Sequence, residues 1–200
     1  MQDIERKVAQ HCERGEYDEA TTVAIQAYGP EVLGYLASTM SAWHQAADIF
    51  AMCSEDLWRA LPTFERRCSY RTYFYTLARN ARSRFSKARS AREAARAVPL
   101  SQVPQLQLAI DHVRTSTPRY QRTEEKHRLV RLRESLDSLD RELLVLRVDR
   151  QLSWPDITAI MHPGDGSTSD AERTRETAAL RKRFERIKKR LRKLHAAETG

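Results

Sequence analysis

Leu180, Phe184, Ile187, Leu191 and Leu194 recur at spacings of four, three, four and three, one apolar stripe on an α-helix, and almost every residue off the stripe is Arg or Lys. The same period runs upstream. Residues 3–14 and 17–28 read as a helical pair broken at Gly15, and one such pair is too little for a solenoid. Gly29-Pro30 predicts the opening of a new helix with Val32, Leu33, Leu36 and Met40 on its apolar face. A helix over about 45–60 turns Ile49, Phe50, Cys53 and Leu57 inward and Asp48, Glu55, Asp56 and Arg59 outward, and Leu61-Pro-Thr-Phe64 ends it. Ser69 is the expected N-cap of a helix over 70–87, packed through Tyr70, Tyr73, Phe74, Leu77 and Ala81, with Arg71, Arg79, Arg82, Arg84 and Lys87 on a basic face.

From 88 to 125 the period gives way to Ala/Arg-rich and then Pro- and Ser-punctuated sequence. Val98, Val103 and Thr117 each precede a proline and disfavour helix. This stretch reads as a linker, within which 105–113 could form a short helix. Beyond it, one helix is expected from Glu124 to about Leu136 and another from Ser138, burying Leu143, Leu144 and Leu146. Ser153 then reads as an N-cap with Pro155 in the first turn and Ile157 and Ile160 beneath. A long turn, His162 to Asp170, leads into the basic helix. The expected fold is all-α: two small helical domains at 28–87 and 126–196, joined by a flexible linker at 88–125 and preceded by a helical extension at 1–27.

Charge sharpens this division. Residues 1–58 hold 3 basic and 10 acidic residues, whereas 59–96 and 173–193 each hold 11 basic and 2 acidic. Either basic block alone outweighs the net +8 of the chain, so two separate contacts with a polyanion are expected, and the acidic front offers a surface better suited to protein. A basic helix can equally be a solvated face or a short coiled coil, and a non-specific polyanion binder has the same composition. No apolar run approaches the roughly 18 residues of a membrane span. Met1-Gln-Asp-Ile-Glu-Arg-Lys7 lacks the apolar core of a signal peptide, so a cytoplasmic location is expected. Cys12, Cys53 and Cys68 form no CxxC pair, which argues against a disulfide framework or a metal site. No nucleotide-binding glycine pattern and no hydrolase motif appears, so neither enzyme nor cofactor is expected.

Two constellations remain. Residues 153–192 have the order of a helix-turn-helix, whose second helix offers Ala179, Arg181, Lys182, Arg183 and Arg186 to duplex DNA and Leu180, Phe184 and Ile187 to the protein. Residues 59–85 interleave aromatics with arginines, as unstacked bases and their phosphates require. Helical spacing assigns Tyr70, Tyr73 and Phe74 to the core and leaves Phe64 and Tyr75 as the exposed rings.

At these residues the chain resembles a bacterial RNA polymerase sigma factor of the extracytoplasmic-function group. Tyr28-Gly-Pro-Glu-Val-Leu-Gly-Tyr-Leu36 is similar to the opening of sigma region 2. Leu57-Trp-Arg-Ala-Leu-Pro-Thr-Phe64 followed by Ser69-Tyr-Arg-Thr-Tyr-Phe-Tyr-Thr-Leu-Ala-Arg-Asn80 is the most specific likeness. Leu136-Asp-Ser-Leu-Asp140 and Leu152-Ser-Trp-Pro-Asp-Ile-Thr-Ala-Ile-Met161 resemble the start of region 4 and the first helix of its helix-turn-helix. The resemblance implies that Phe64 and Asn80 line the pocket for a base extruded from the −10 element, with Arg66, Arg67, Arg71, Tyr75 and Arg79 holding the strand. It implies that Asp48, Glu55, Asp56 and Trp58 meet core RNA polymerase, that the basic helix reads the −35 element, and that an anti-sigma factor can hold such a protein. The family's Asp-x-x-Gln-Glu-x-Phe is here Asp48 followed by Ala51, Met52 and Ser54, and the turn before the basic helix is about ten residues longer than usual. The first departure motivates a second reading, a helix-turn-helix regulator that acts without polymerase.

Overall fold

Helix periodicity governs the whole of what the computed structural model describes, which is residues 2–40, 42–91, 104–116, 135–163 and 169–199. Among these residues there is no strand, and the fold is all-α. The chain divides into two units, Met1–Thr117 and Pro118–Gly200.

The first unit begins with α1 (Gln2–Glu13) and turns at Gly15, whose φ of +73° suits a residue without a Cβ. α2 (Tyr17–Thr39) then runs unbroken through Pro30. The expected new helix at Gly29-Pro30 is therefore corrected to one continuous helix. A proline inside a helix forfeits a hydrogen bond and costs about 3 kcal/mol, but here Tyr28, Gly29, Val32, Leu33, Tyr35 and Leu36 around it are all buried. Each large apolar side chain so buried contributes roughly 1.5–3 kcal/mol, so packing outweighs the defect. Gly29 allows a close approach there: a Cβ would lie 3.0 Å from Val113 Cγ2 and 3.1 Å from Phe50 Cζ, tight enough that those side chains would have to shift. Residues 1–27 are accordingly not a separate appendage, because α2 straddles that boundary.

α3 (Trp43–Ala60) buries Ile49, Phe50, Cys53 and Leu57, as its pattern predicts, and ends in a 3-10 turn at Leu61–Thr63. α4 (Tyr70–Ala91) starts at Ser69, whose Oγ accepts the Thr72 amide at 3.0 Å. Its buried positions are Tyr70, Thr72, Phe74, Tyr75, Ala78 and Ala81. Tyr75 meets Tyr35 edge-on at 5.4 Å, and Phe74 lies 6.1 Å from Phe50. α5 (Pro104–Ser116) buries Leu106, Ala109, Ile110 and Val113, a complete i, i+3, i+4, i+7 stripe, and packs on α2. The expected linker at 88–125 thus contains the end of α4 and a helix belonging to the first unit's core.

In the second unit α6 (Ser138–Leu144) is capped by Asp137, which accepts the Asp140 amide at 2.8 Å, and continues as one wide π-type turn at Val145–Asp149. α7 (Trp154–Met161) has the expected cap: Ser153 accepts the Asp156 amide and Pro155 occupies the first turn. α8 (Asp170–Thr199) opens with a reciprocal capping box. The Glu172 carboxylate takes the Ser169 amide at 2.8 Å and Ser169 Oγ takes the Glu172 amide at 3.3 Å. Leu143, Leu144, Leu146, Leu152, Ile157 and Ile160 form the core with Leu180 and Ile187 of α8. Phe184, Leu191 and Leu194, on the same stripe, are half-buried. The helix expected at 124–136 lies, but for its last two residues, outside the described residues, as does most of the turn at 162–170.

Candidate nucleic-acid interface

Phe64 closes the 3-10 turn that follows α3, its amide bonded to the Leu61 carbonyl at 3.2 Å. Its half-buried ring stacks on Tyr73 at 4.1 Å and 17° and leans on Tyr70 at 5.3 Å. The loop from here to Ser69 therefore carries an aromatic platform seated on the first turn of α4. Desolvation raises the Tyr73 hydroxyl, and desolvation chiefly pushes the Tyr70 hydroxyl up to about 12. Asn80 stands seven residues beyond Tyr73. Two helical turns return it to the same face, about 10 Å along the axis at 1.5 Å per residue. Phe64, Tyr73 and Asn80 thus share one stripe of the first unit, with Asn80 half-buried.

The cations around this stripe are mostly paired inside the protein. Arg66, at a φ of 56°, donates to the Glu13 carboxylate at 2.9 Å and the Ala9 carbonyl at 3.3 Å. Arg67 pairs with Glu65 at 2.5 Å, and both stand in solvent. Arg71 makes a two-pronged bond to Glu31, at 2.6 and 2.7 Å, and is only 15% exposed. Arg79 is half-buried. Tyr75 is corrected outright: expected as an exposed base contact, it is fully buried against Tyr35. The buried face of α4 keeps Tyr70, Phe74 and Ala81 but takes in Tyr75 and Ala78 in place of Tyr73 and Leu77, because α2 and α3 flank the helix on two sides. Tyr73, assigned to the core by spacing, is the ring that stays half-exposed and carries Phe64.

The α3 residues expected to meet polymerase do not form one free face. Asp48 is exposed, and Asp56 pairs with Arg84. Trp58 is held through its indole N–H, donated to Asp18 at 2.6 Å. Glu55, expected to point outward, is 8% exposed and pairs with Arg59, a correction that follows from its position beside the buried Ser54.

In the second unit Ala179, Arg181, Lys182 and Arg186 are exposed on α8, as expected. Arg183 is corrected: it turns in to Asp140 and to Asp137, 3.1 Å away, and fastens α8 to the start of α6. The Asp140 amide and, after it, this guanidinium hold the Asp137 carboxyl below its ordinary value. Trp154 lies under both Arg147, at 5.1 Å, and Arg181, at 5.7 Å, with the Phe184 ring edge-on at 5.6 Å. Thr158 and Thr177 share a hydrogen bond of 2.9 Å that joins α7 to α8. Residues 170–175, ahead of that contact, are all exposed. Among the described residues no cluster of side chains suits a metal ion, and no helix is long and apolar enough to cross a membrane.

Residues 24–92 match the family model described as sigma-70 region 2. The match takes in α2 from Ala24, all of α3, the Phe64 loop and α4, so the first unit carries a domain of sigma-70 region 2 type. Neither the curated proteins nor the solved structures contain a match to this chain.

Proposed function

We propose that this chain is an RNA polymerase sigma factor of the extracytoplasmic-function group, which joins core polymerase and directs it to promoters. One coincidence carries the reading. The region that matches the family is the region in which Phe64, Tyr73 and Asn80 line up beside arginines. Extruding a base costs a few kcal/mol of stacking. In this reading the Phe64 ring and the Asn80 amide offset that cost at the −10 element, while Arg66, Arg67 and Arg79 face the strand backbone and Arg71, held on Glu31, sets α4 beneath them. Tyr75 acts only as core beneath them. The second unit reads the −35 duplex through Ala179, Arg181, Lys182 and Arg186 on α8, with Arg183 setting the helix in place. Asp48, Asp56 and Trp58 form the polymerase-facing set. Such a protein works in the cytoplasm, performs no catalysis of its own, and is open to control by an anti-sigma factor.

Run-off transcription on a library of genomic fragments with core polymerase tests this reading. The full chain should yield discrete start sites, and Phe64→Ala or Asn80→Ala should abolish opening at those sites while leaving duplex binding by α8 intact. Transcription no different from core polymerase alone would end it.

A specific observation favours a second reading, a helix-turn-helix regulator that does not bind polymerase. Ala51, Met52 and Ser54 stand where the family's Gln, Glu and Phe are expected, and Glu55, Asp56 and Trp58 are engaged within the protein. That reading requires a tight, sequence-specific footprint with no polymerase present. A footprint that appears only with core polymerase excludes it.

A further inference from the structure

α1 lies outside residues 24–92, yet its side chains hold the basic loop. Glu5, Ala9 and Glu13 follow at intervals of four and so form one line along the helix. At one end of the line, Glu5 accepts the amides of Tyr70 and Arg71, at 2.9 and 3.1 Å. Ser69 Oγ takes the next amide, that of Thr72. The first donors of α4 are thus satisfied, two of them by a carboxylate from another helix. Tyr28, itself buried, donates its hydroxyl to the same carboxylate at 2.8 Å. At the other end of the line, Glu13 and the Ala9 carbonyl grip Arg66. The φ of 56° at Arg66 falls in the left-handed region, which side chains other than glycine rarely adopt, and such residues persist where their surroundings fix them. Between these two grips runs the loop whose Phe64 ring rests on Tyr70 and Tyr73.

We propose that Glu5 and Glu13 are positioning residues: through them α1 braces the Phe64–Cys68 loop and the start of α4, so that Phe64 and Arg66 meet a single DNA strand already in place. The proposal rests on the sigma reading of the loop. A carboxylate on Arg66 could instead shield that cation from phosphate. The brace is favoured because Glu5 is built into the fold beneath the loop: it satisfies three donors, and Val8, on the same helix, is wholly buried. A displaceable cover would not be rooted in this way. Pre-setting the loop removes ordering that binding would otherwise have to supply.

The test uses the full chain on core polymerase and a randomised 12-nucleotide single-stranded DNA pool, read by fluorescence anisotropy. Glu13→Ala should weaken binding of the pool by roughly threefold to tenfold. Glu13→Asp, which keeps the carboxylate, should recover most of that loss. In an Arg66→Ala background Glu13→Ala should add nothing, because Glu13 acts through Arg66. Duplex DNA binding and the thermal midpoint should not move with Glu13→Ala, which a general loss of folding would not allow. Glu5→Gln, which turns one acceptor into a donor facing amide N–H groups, should weaken the pool as well. Tighter binding by Glu13→Ala would show a shield and overturn the brace, as would unchanged binding or an equal loss in the Arg66→Ala background. A wild-type complex that does not hold the pool at all would overturn the sigma reading and this proposal with it, and is told apart by the wild-type arm alone.

Discussion

The two basic blocks carry the same excess of charge and use it differently. In the first unit Arg59, Arg66, Arg67, Arg71 and Arg84 are paired with Glu55, Glu13, Glu65, Glu31 and Asp56. Of these, Arg66, Arg71 and Arg84 are structural parts that hold α1 to the loop and α2 and α3 to α4, while the other two pair within α3 and within the loop. On α8, Arg181, Lys182, Arg186, Lys189, Arg192 and Lys193 stand in solvent, while Arg183 turns in to Asp137 and Asp140 and Arg190 donates to the Ser135 carbonyl at 3.1 Å. Equal net charge therefore marks a shaped surface in one place and a diffuse cationic face in the other. A shaped surface suits a single strand read base by base, and a diffuse one suits the regular phosphate rows of a duplex.

Four measurements put that contrast at risk. The largest effect belongs to the core beneath the shaped surface. Tyr75→Ala should destabilise the first unit by about 3–5 kcal/mol, as other large aromatic truncations do, while Tyr75→Phe leaves DNA binding intact. Urea unfolding and pool binding check the two arms, and a Tyr75→Phe protein that folds but no longer binds DNA would return this ring to the interface. Next, Arg71→Ala strips Glu31 of its partner in a largely enclosed site and should cost about 1–3 kcal/mol, whereas the exposed Lys182→Ala should stay within about 0.5 kcal/mol. Equal losses in chemical denaturation would erase the distinction between the two blocks.

A salt titration is subtler. For duplex DNA, the slope of log affinity against log salt should become shallower by about one with either Arg181→Ala or Lys182→Ala, since each removes one cation from a phosphate. A slope that does not change would remove those residues from the phosphate rows. The smallest effect is in acid. Asp137 has its pKa lowered in the fold, chiefly by the Asp140 amide, so its contribution is present above its ordinary value of 3.8 and is lost as pH falls below it. Wild type should therefore lose Asp137's share of the anchoring of α8 to α6 in that window, and Asp137→Asn should start without it and show a shallower acid transition by circular dichroism. Parallel acid transitions would deny the cap that role.

Local signals in the sequence hold where the physics is local. Ser69 and Ser153 cap the helices that follow them because a hydroxyl and an amide three residues on are enough. The inward set of α3 follows from its own period. What periodicity misses are interactions over long separations. Which aromatics of α4 face inward depends on Tyr35 and Phe50, far upstream, and periodicity alone cannot choose between Tyr73 and Tyr75. Arg183 sits on the outer arc by counting, yet two aspartates more than forty residues away claim it. Pro30 announces a break that burial on both sides overrides. Within the candidate site, Phe64 and Asn80 are legible from their motif, while Glu5 and Glu13 are not: their i, i+4, i+8 line is plain, but nothing in it tells that Arg66 and the start of α4 lie opposite.

On the sigma reading, the first unit belongs on RNA polymerase. Gel filtration of the full chain with core RNA polymerase, with Asp48→Arg as the control, addresses it most directly. A stoichiometric complex that Asp48→Arg weakens is the expected result. A chain that elutes wholly apart from core polymerase, and still footprints duplex DNA on its own, would contradict it.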